Sequence, residues 1–109
     1  MANSIARIDT ILSDEIQAGV TKTVDSLLVS LFKHVDYTVM IFDASNTKLG
    51  HIRTSVTVNG NDVKESVYSK QGSFHAYELL PVSDGNTFFF SIKNNELFPI
   101  KLKILRTII

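Results

Sequence analysis

The sequence contains no cysteine and no tryptophan. The first absence excludes a disulfide scaffold, a thiolate zinc site, an iron–sulfur cluster and a thiol nucleophile together. Charge of one sign is missing as well: 11 Lys and Arg balance 11 Asp and Glu. That balance leaves no bulk electrostatic footprint for nucleic acid. No stretch approaches the roughly 18 uncharged apolar residues of a membrane-spanning helix. Residues 1–11 hold no signal-peptide core, because Arg7 and Asp9 interrupt them. The expected compartment is therefore the cytoplasm of the cell that makes the protein. A Gly-x-Ser-x-Gly nucleophile turn, a phosphate-cradling glycine loop and an Asn-x-Ser/Thr acceptor are all missing.

The histidines, His34, His51 and His75, lie far apart and show no metal-ligand spacing. They read as ordinary strand or surface side chains, and no metal or other cofactor is implied. A Ser/His/Asp triad assembled in space stays open, but no catalytic residue is nominated and the expectation is a non-enzyme.

What is present is enough for one core. At 109 residues with 44% hydrophobic side chains, a single domain can bury about two-thirds of its unfolded surface. Charge is unevenly placed, with Lys93, Lys101, Lys103 and Arg106 near the C-terminus against the single acid Glu96. Such an end suits an acidic partner or phosphate. Equally, Lys101 and Lys103 fall on one side of a strand, where charge keeps a face soluble and discourages edge pairing.

Ile5, Ile8, Leu12 and Ile16 recur at helical spacing, which predicts an amphipathic helix over residues 3–17, with Asn3 or Ser4 as cap. Continued past Gly19, that helix would carry a second stripe, Val24, Leu27, Leu28 and Leu31, about a third of a turn away. A break at Gly19 removes the conflict. For residues 21–35, strand and continued helix compete. The β-branched Thr21, Thr23 and Val24 favour strand over residues 23–33.

The remainder reads as β. Residues 37–42 (Tyr-Thr-Val-Met-Ile-Phe) form an apolar run expected to be a central strand buried on both faces. Ile52, Thr54, Val56 and Val58 alternate with polar residues. Asn59-Gly60 is a two-residue hairpin signal, and residues 63–70 return from it. Further strands are expected over 73–80 (stopped by Pro81), 87–93 and 98–107, with turns at 43–47 and 83–86. About seven short strands with such punctuation predict an all-β, antiparallel β-sandwich of jelly-roll or Ig-like type. The expected organisation is an N-terminal helical arm over residues 1–20 and a sandwich domain over 21–109.

Two features suggest contacts. Phe88-Phe89-Phe90 either lies on a strand covered on both faces or sends one side into a subunit interface or towards lipid. The arm packs on its own sandwich, reaches a neighbouring subunit, or lies on a membrane. Asp14 and Glu15 argue against an anionic lipid surface. The candidate interface set is Ile5, Ile8, Leu12, Ile16, Phe88, Phe90, Lys101 and Lys103.

Over residues 21–109 the sequence resembles small structural proteins of tailed-bacteriophage virions. The resemblance rests on Val24-Asp25-Ser26, on Tyr37-Thr38-Val39-Met40-Ile41 with the Asp43-Ala44-Ser45-Asn46 turn, on Asp84-Gly85-Asn86, and on the closing Leu102-Lys103-Ile104-Leu105-Arg106-Thr107-Ile108-Ile109. Residues 51–77 fit poorly. The resemblance implies a non-enzymatic β-sandwich subunit of a neck, tail, fibre or capsid surface. Such a subunit would reside in the virion, be assembled in the host cytoplasm, and have itself and other virion proteins as partners in a homo-oligomer. Neither nucleic acid nor membrane is implied. An N-terminal amphipathic segment before a sandwich is also similar to actinoporin-like cytolysins, although the chain is short for them and lacks their aromatic lipid-binding cluster. A glycan- or receptor-binding module is a further alternative on the same fold.

Overall fold

A computed structural model describes residues 7–72 and 77–108. It consists of two antiparallel sheets. The large sheet has the order β1-β8-β3-β4-β5, built from β1 (Arg7–Leu12), β8 (Ile100–Ile108), β3 (His34–Asp43), β4 (Lys48–Asn59) and β5 (Asp62–Gly72). The small sheet, β2-β7-β6, contains β2 (Thr21–Leu28), β7 (Thr87–Asn94) and β6 (Tyr77–Ser83). The inner faces meet in one core that takes Val35, Val39 and Ile41 from β3, Ile52 and Val56 from β4, Ile100, Leu102 and Ile104 from β8, and Phe88, Phe90 and Ile92 from β7. Tyr37 and Phe90 stack across the two sheets with ring centroids 4.1 Å apart and planes 6° from parallel.

The predicted helical arm is not formed. Residues 7–12 are an edge strand on β8, with Asp9 opposite Arg106, Ile11 opposite Ile104 and Leu12 opposite Lys103. Three- and four-residue spacing of Ile8, Leu12 and Ile16 imitates a helical stripe, but Ile8, Thr10 and Ile11 are β-branched, and branching at Cβ favours the pleat. Ile16 leaves the strand, bridges to Ile100 and is buried. Ile5 lies outside the described residues. The segment between β1 and β2 is tied down by hydrogen bonds to β7 and β8. Ser13 N donates to Leu102 O, Ile16 N donates to Ile100 O, and the buried Asn94 Nδ2 donates to both Ile16 O and Phe98 O.

The 21–35 ambiguity resolves as strand through Leu28, one 3-10 turn over Val29–Leu31, and strand again from His34. Continuous helix is excluded. The 59–62 hairpin forms one residue later than its dipeptide signal: Asn59 pairs with Asp62, and Gly60 (φ 61°) takes the first central position. Pro81 does not stop β6, which runs to Ser83. β6 is an edge strand, where a residue without an N–H can face solvent.

β3 is central, flanked by β4 and β8, but it is covered on one face only. Val35, Tyr37, Val39 and Ile41 are fully buried, whereas Thr38, Met40 and Phe42 on the opposite face are half-buried, with no layer over them among the described residues. The apolar run that read as doubly covered has one cover among those residues.

Candidate functional site

Two groupings of side chains stand out, one between the sheets and one outside them.

The inner grouping is a polar row. Antiparallel register places Asp9, Arg106, Tyr37 and Thr54 side by side across four strands of the large sheet, all facing inward. Asp25 meets them from the small sheet, at a bulge in β2 between Thr23 and Asp25. Arg106 Nη1 donates to Asp25 Oδ1 (2.7 Å) and Nη2 to Asp9 Oδ2 (2.8 Å). Tyr37 Oη donates to Asp25 Oδ2 (2.6 Å). Burial alone would lower the Arg106 pKa. The hydrogen bond to Asp9 and the charges of Asp25 and Asp9 overcome it and hold the guanidinium above its ordinary value. Burial, followed by the hydrogen bond to Asp25, pushes the Tyr37 hydroxyl well above its ordinary range. Both groups therefore keep fixed protonation at neutral pH, which suits a clamp between sheets and not proton transfer. The cluster was not anticipated from sequence. The available signal was parity, since Arg106 follows Ile100, Leu102 and Ile104 at every second position and must point into the core.

The outer grouping lies across β1, β8 and β3, on the uncovered face of the large sheet. Ile8, Thr10 and Leu12 point outward from β1, Lys101, Lys103 and Leu105 from β8, and Thr38, Met40 and Phe42 from β3. Leu12 is 73% exposed and Ile8 70%. Beside Leu12, a hollow of about 270 Å³ opens between Phe42, Asn46, Lys101 and Lys103. Lys101 and Lys103 make no ion pair among the described residues. The Ser13 and Ile16 ties to Leu102 and Ile100 hold the intervening Asp14 and Glu15 next to β8, both exposed. Asp14 pairs with Lys22 of β2, in the small sheet, at 3.9 Å.

Four of the eight interface residues expected from sequence, Ile8, Leu12, Lys101 and Lys103, therefore converge on one surface. Ile5 lies outside the described residues. Ile16, Phe88 and Phe90 are buried in the core, so Phe88 and Phe90 correct the expectation that their side of the strand is the contact. Phe89 faces outward from β7, 36% exposed between Ser26 and Val82. Phe88 and Phe90 are core because the large sheet covers that side of β7.

All four edge strands carry features that discourage sheet extension. β1 points Asp9 inward, and β2 has its bulge and Asp25. β5 has a bulge at Tyr68 with Glu65 and Lys70 on the inward side, and β6 carries Pro81. Inward charges, bulges and edge proline each disfavour pairing with another strand. Extension of either sheet through these edges is therefore disfavoured.

The triad left open above has its residue types but not its geometry. Asp36 Oδ1 and Ser55 Oγ both lie on His34 Nε2, at 3.0 and 3.1 Å, and Thr57 Oγ1 lies 3.3 Å from Nδ1. A relay needs carboxylate and nucleophile on opposite ring nitrogens, so this is a cross-strand polar network on the outer face of β3 and β4. His51 stands opposite Met40, apart from it, and His75 lies outside the described residues. Among the described residues no three His, Asp or Glu side chains gather as a metal site, and no helix is long and apolar enough to cross a membrane. The segment on which the cytolysin likeness depended is strand over residues 7–12. A groove of about 480 Å³ lies beside the β4–β5 hairpin, with Leu31, Phe32, Lys33 and Asn59 on its walls and no carboxylate among its lining residues.

No family model matches the sequence, and no curated protein matches it. Among solved structures, the tailspike protein of Acinetobacter baumannii phage AM24 is similar in fold: TM-score 0.54, 15% sequence identity, 93% of this chain aligned. The match spans 26% of the tailspike, so the chain corresponds to about a quarter of that protein's length.

Proposed function

We propose that the chain is a non-enzymatic β module of a tailed-phage virion, a subunit that works by forming contacts with itself and with other virion proteins. The supporting observation is that nearly the whole chain takes a fold found within a phage tailspike. The surface is consistent with this reading, because exposed apolar side chains lie beside lysines that make no ion pair among the described residues, gathered on one sheet face, as an interface needs. The virion is the corresponding location, and no cofactor is required. A position on a tail carries the reading further than one on a neck or capsid surface, since the similar fold belongs to a tailspike.

The test is mass spectrometry of purified particles from the phage that encodes the sequence. Peptides of this chain should occur at a constant ratio to the major tail proteins after density banding. Their confinement to the unassembled lysate fraction would contradict the proposal.

A receptor- or glycan-binding role on the same particle is favoured by one observation, the groove beside the β4–β5 hairpin with Lys33, Ser30 and Asn59 among its lining residues. Binding to host-cell envelope fractions that is lost in an Asn59→Ala, Lys33→Ala variant would support it.

A further inference from the structure

We infer that the outer face of the large sheet docks an acidic amphipathic helix of another protein. This deepens the reading of the chain as a contact-forming module, on which it rests, by naming the chemistry of a partner. The inference starts from how charge is distributed in a chain with no net charge. Antiparallel register turns Lys101 and Lys103 of β8 and Lys48 and Arg53 of β4 outward, with β3 between them. Met40 stands between Lys103 and His51, and Phe42 between Lys101 and Lys48. The face therefore carries two basic rails with an apolar strip along the middle. None of the four cations makes an ion pair among the described residues. The guanidinium of Arg53 lies over the Tyr68 ring, 5.2 Å from its centroid.

The acids are placed elsewhere. All 11 of them lie among the described residues. Two share the outward register, Asp36 and Asp62, both away from the strip: His34 Nε2 lies 3.0 Å from Asp36 Oδ1, and Asp62 stands at the tip of the β4–β5 hairpin. Asp9 and Asp25 turn inward to Arg106, and Asp14 turns to Lys22 of the small sheet. Asp43, at the end of β3, accepts the N–H groups of Ser45 and Thr47 in its own turn. A chain with equal numbers of both signs thus leaves the strip flanked by cations on both sides.

The spacing selects the occupant. The rails stand two strand spacings apart, about 10 Å, close to the width of an α-helix with its side chains, about 10–12 Å. A helix laid along β3 sets its apolar stripe on Met40 and Phe42 and carboxylates from either flank on the rails. The face spans roughly 24 by 34 Å, from five strands about 4.8 Å apart and the ten residues of β3 at about 3.4 Å each. That is roughly the 800 Å² per partner of a standard interface, so β1 and β5 leave room for the rest of the partner around the helix. The same face of a second copy would bring cations against cations, which charge complementarity disfavours. A nucleic acid would satisfy the rails but leave Met40, Phe42 and the exposed Leu12 against phosphate and sugar. Its bases would find one aromatic ring, Phe42, between the rails, where a stacking platform needs several.

The test is fluorescence anisotropy of a labelled synthetic peptide of about 18 residues, a leucine stripe flanked on both sides by glutamates, titrated with the full chain to about 1 mM at low ionic strength. The peptide should bind at least about tenfold more tightly than a scrambled peptide of the same composition, and more tightly than a DNA duplex of similar length. Lys101→Glu with Lys103→Glu breaks one rail, and Lys48→Glu with Arg53→Glu breaks the other. Each pair should weaken binding at least about tenfold. Lys22→Glu with Lys93→Glu makes the same change in net charge on the small sheet and should bind as the wild type does. Circular dichroism of each variant checks that the fold is kept. No binding, equal binding of the scrambled peptide, or rail variants that bind like the wild type would overturn the inference. Tighter binding of the duplex would overturn it in favour of nucleic acid. None of these results touches the virion reading, which stands or falls on the particle analysis.

Discussion

The inner polar row and the outer β1–β8–β3 face are built from the same strands, often from alternate residues, and treat charge in opposite ways. Inside, Arg106 is shared between Asp9 and Asp25, and Asp25 is closed by Tyr37. Outside, Lys101 and Lys103 sit on the same strand with no ion pair among the described residues. Charges removed from water must find partners in the chain, and charges left in water need none. The inner set therefore records how the sheets are held together. The outer set stays at the surface of the large sheet.

Breaking the inner row should give the largest effect. Arg106→Met leaves the nearly buried Asp25 carboxylate (6% exposed side chain) without its counter-charge, a loss of about 3–5 kcal/mol. For a domain of this size that lowers Tm by more than about 10 °C. The comparison sharpens in a triple variant, Asp9→Val, Asp25→Leu, Arg106→Met, which removes the charges together. It should be more stable than Arg106→Met alone in thermal melts, because no buried charge is left behind.

Tyr37→Phe deletes one donor to Asp25 and keeps the ring stack on Phe90. The expected cost is about 1.5–3 kcal/mol by denaturant titration. A cost near zero would mean that Arg106 alone satisfies Asp25.

Asp84 offers a charge satisfied by backbone instead of by an ion pair. The N–H groups of Thr87 and Asn86 hold its carboxyl below the ordinary value of 3.8. A group with a depressed folded pKa contributes stability that is present above the unfolded value and lost as pH falls through the folded one. Asp84→Asn should therefore flatten the acid limb of the stability profile below about pH 4 and leave neutral pH behaviour to the turn geometry.

On the outer face the effect on folding should be smallest. Leu12→Ser, at an exposed edge-strand position, should change stability by no more than about 0.5 kcal/mol in thermal melts. A large loss of stability would show that Leu12 is part of the packing that holds β1 on β8.

The fold class and most strands were legible because alternation over residues 52–58 and turn residues such as Asp43 and Asn46 act locally. Asp43 Oδ1 does accept the N–H groups of Ser45 and Thr47, and Asn46 takes the positive φ (65°) that its short polar side chain tolerates. The first strand was misread because Ile8, Leu12 and Ile16 satisfy helical spacing, while the partner that makes β1 a strand, β8, comes some ninety residues later in the chain. Residues 24–26, 37–41 and 102–109, quoted for the phage-protein resemblance, meet in space through Asp25, Tyr37 and Arg106. No local pattern reveals that meeting, which depends on sheet order. Ile8, Leu12, Lys101 and Lys103 share one sheet face because alternation along β1 and β8 puts them on the same side. Phe88 and Phe90 were misplaced because composition does not say which side of a strand another sheet will cover.

The most direct test of the account is a double-mutant cycle on Asp25 and Arg106, with Asp25→Leu, Arg106→Met and the pair compared by denaturant titration. The predicted result is strong coupling, with the double variant losing clearly less than the sum of the two single losses. Additive losses would contradict the account, because they would mean that the two charges do not depend on each other.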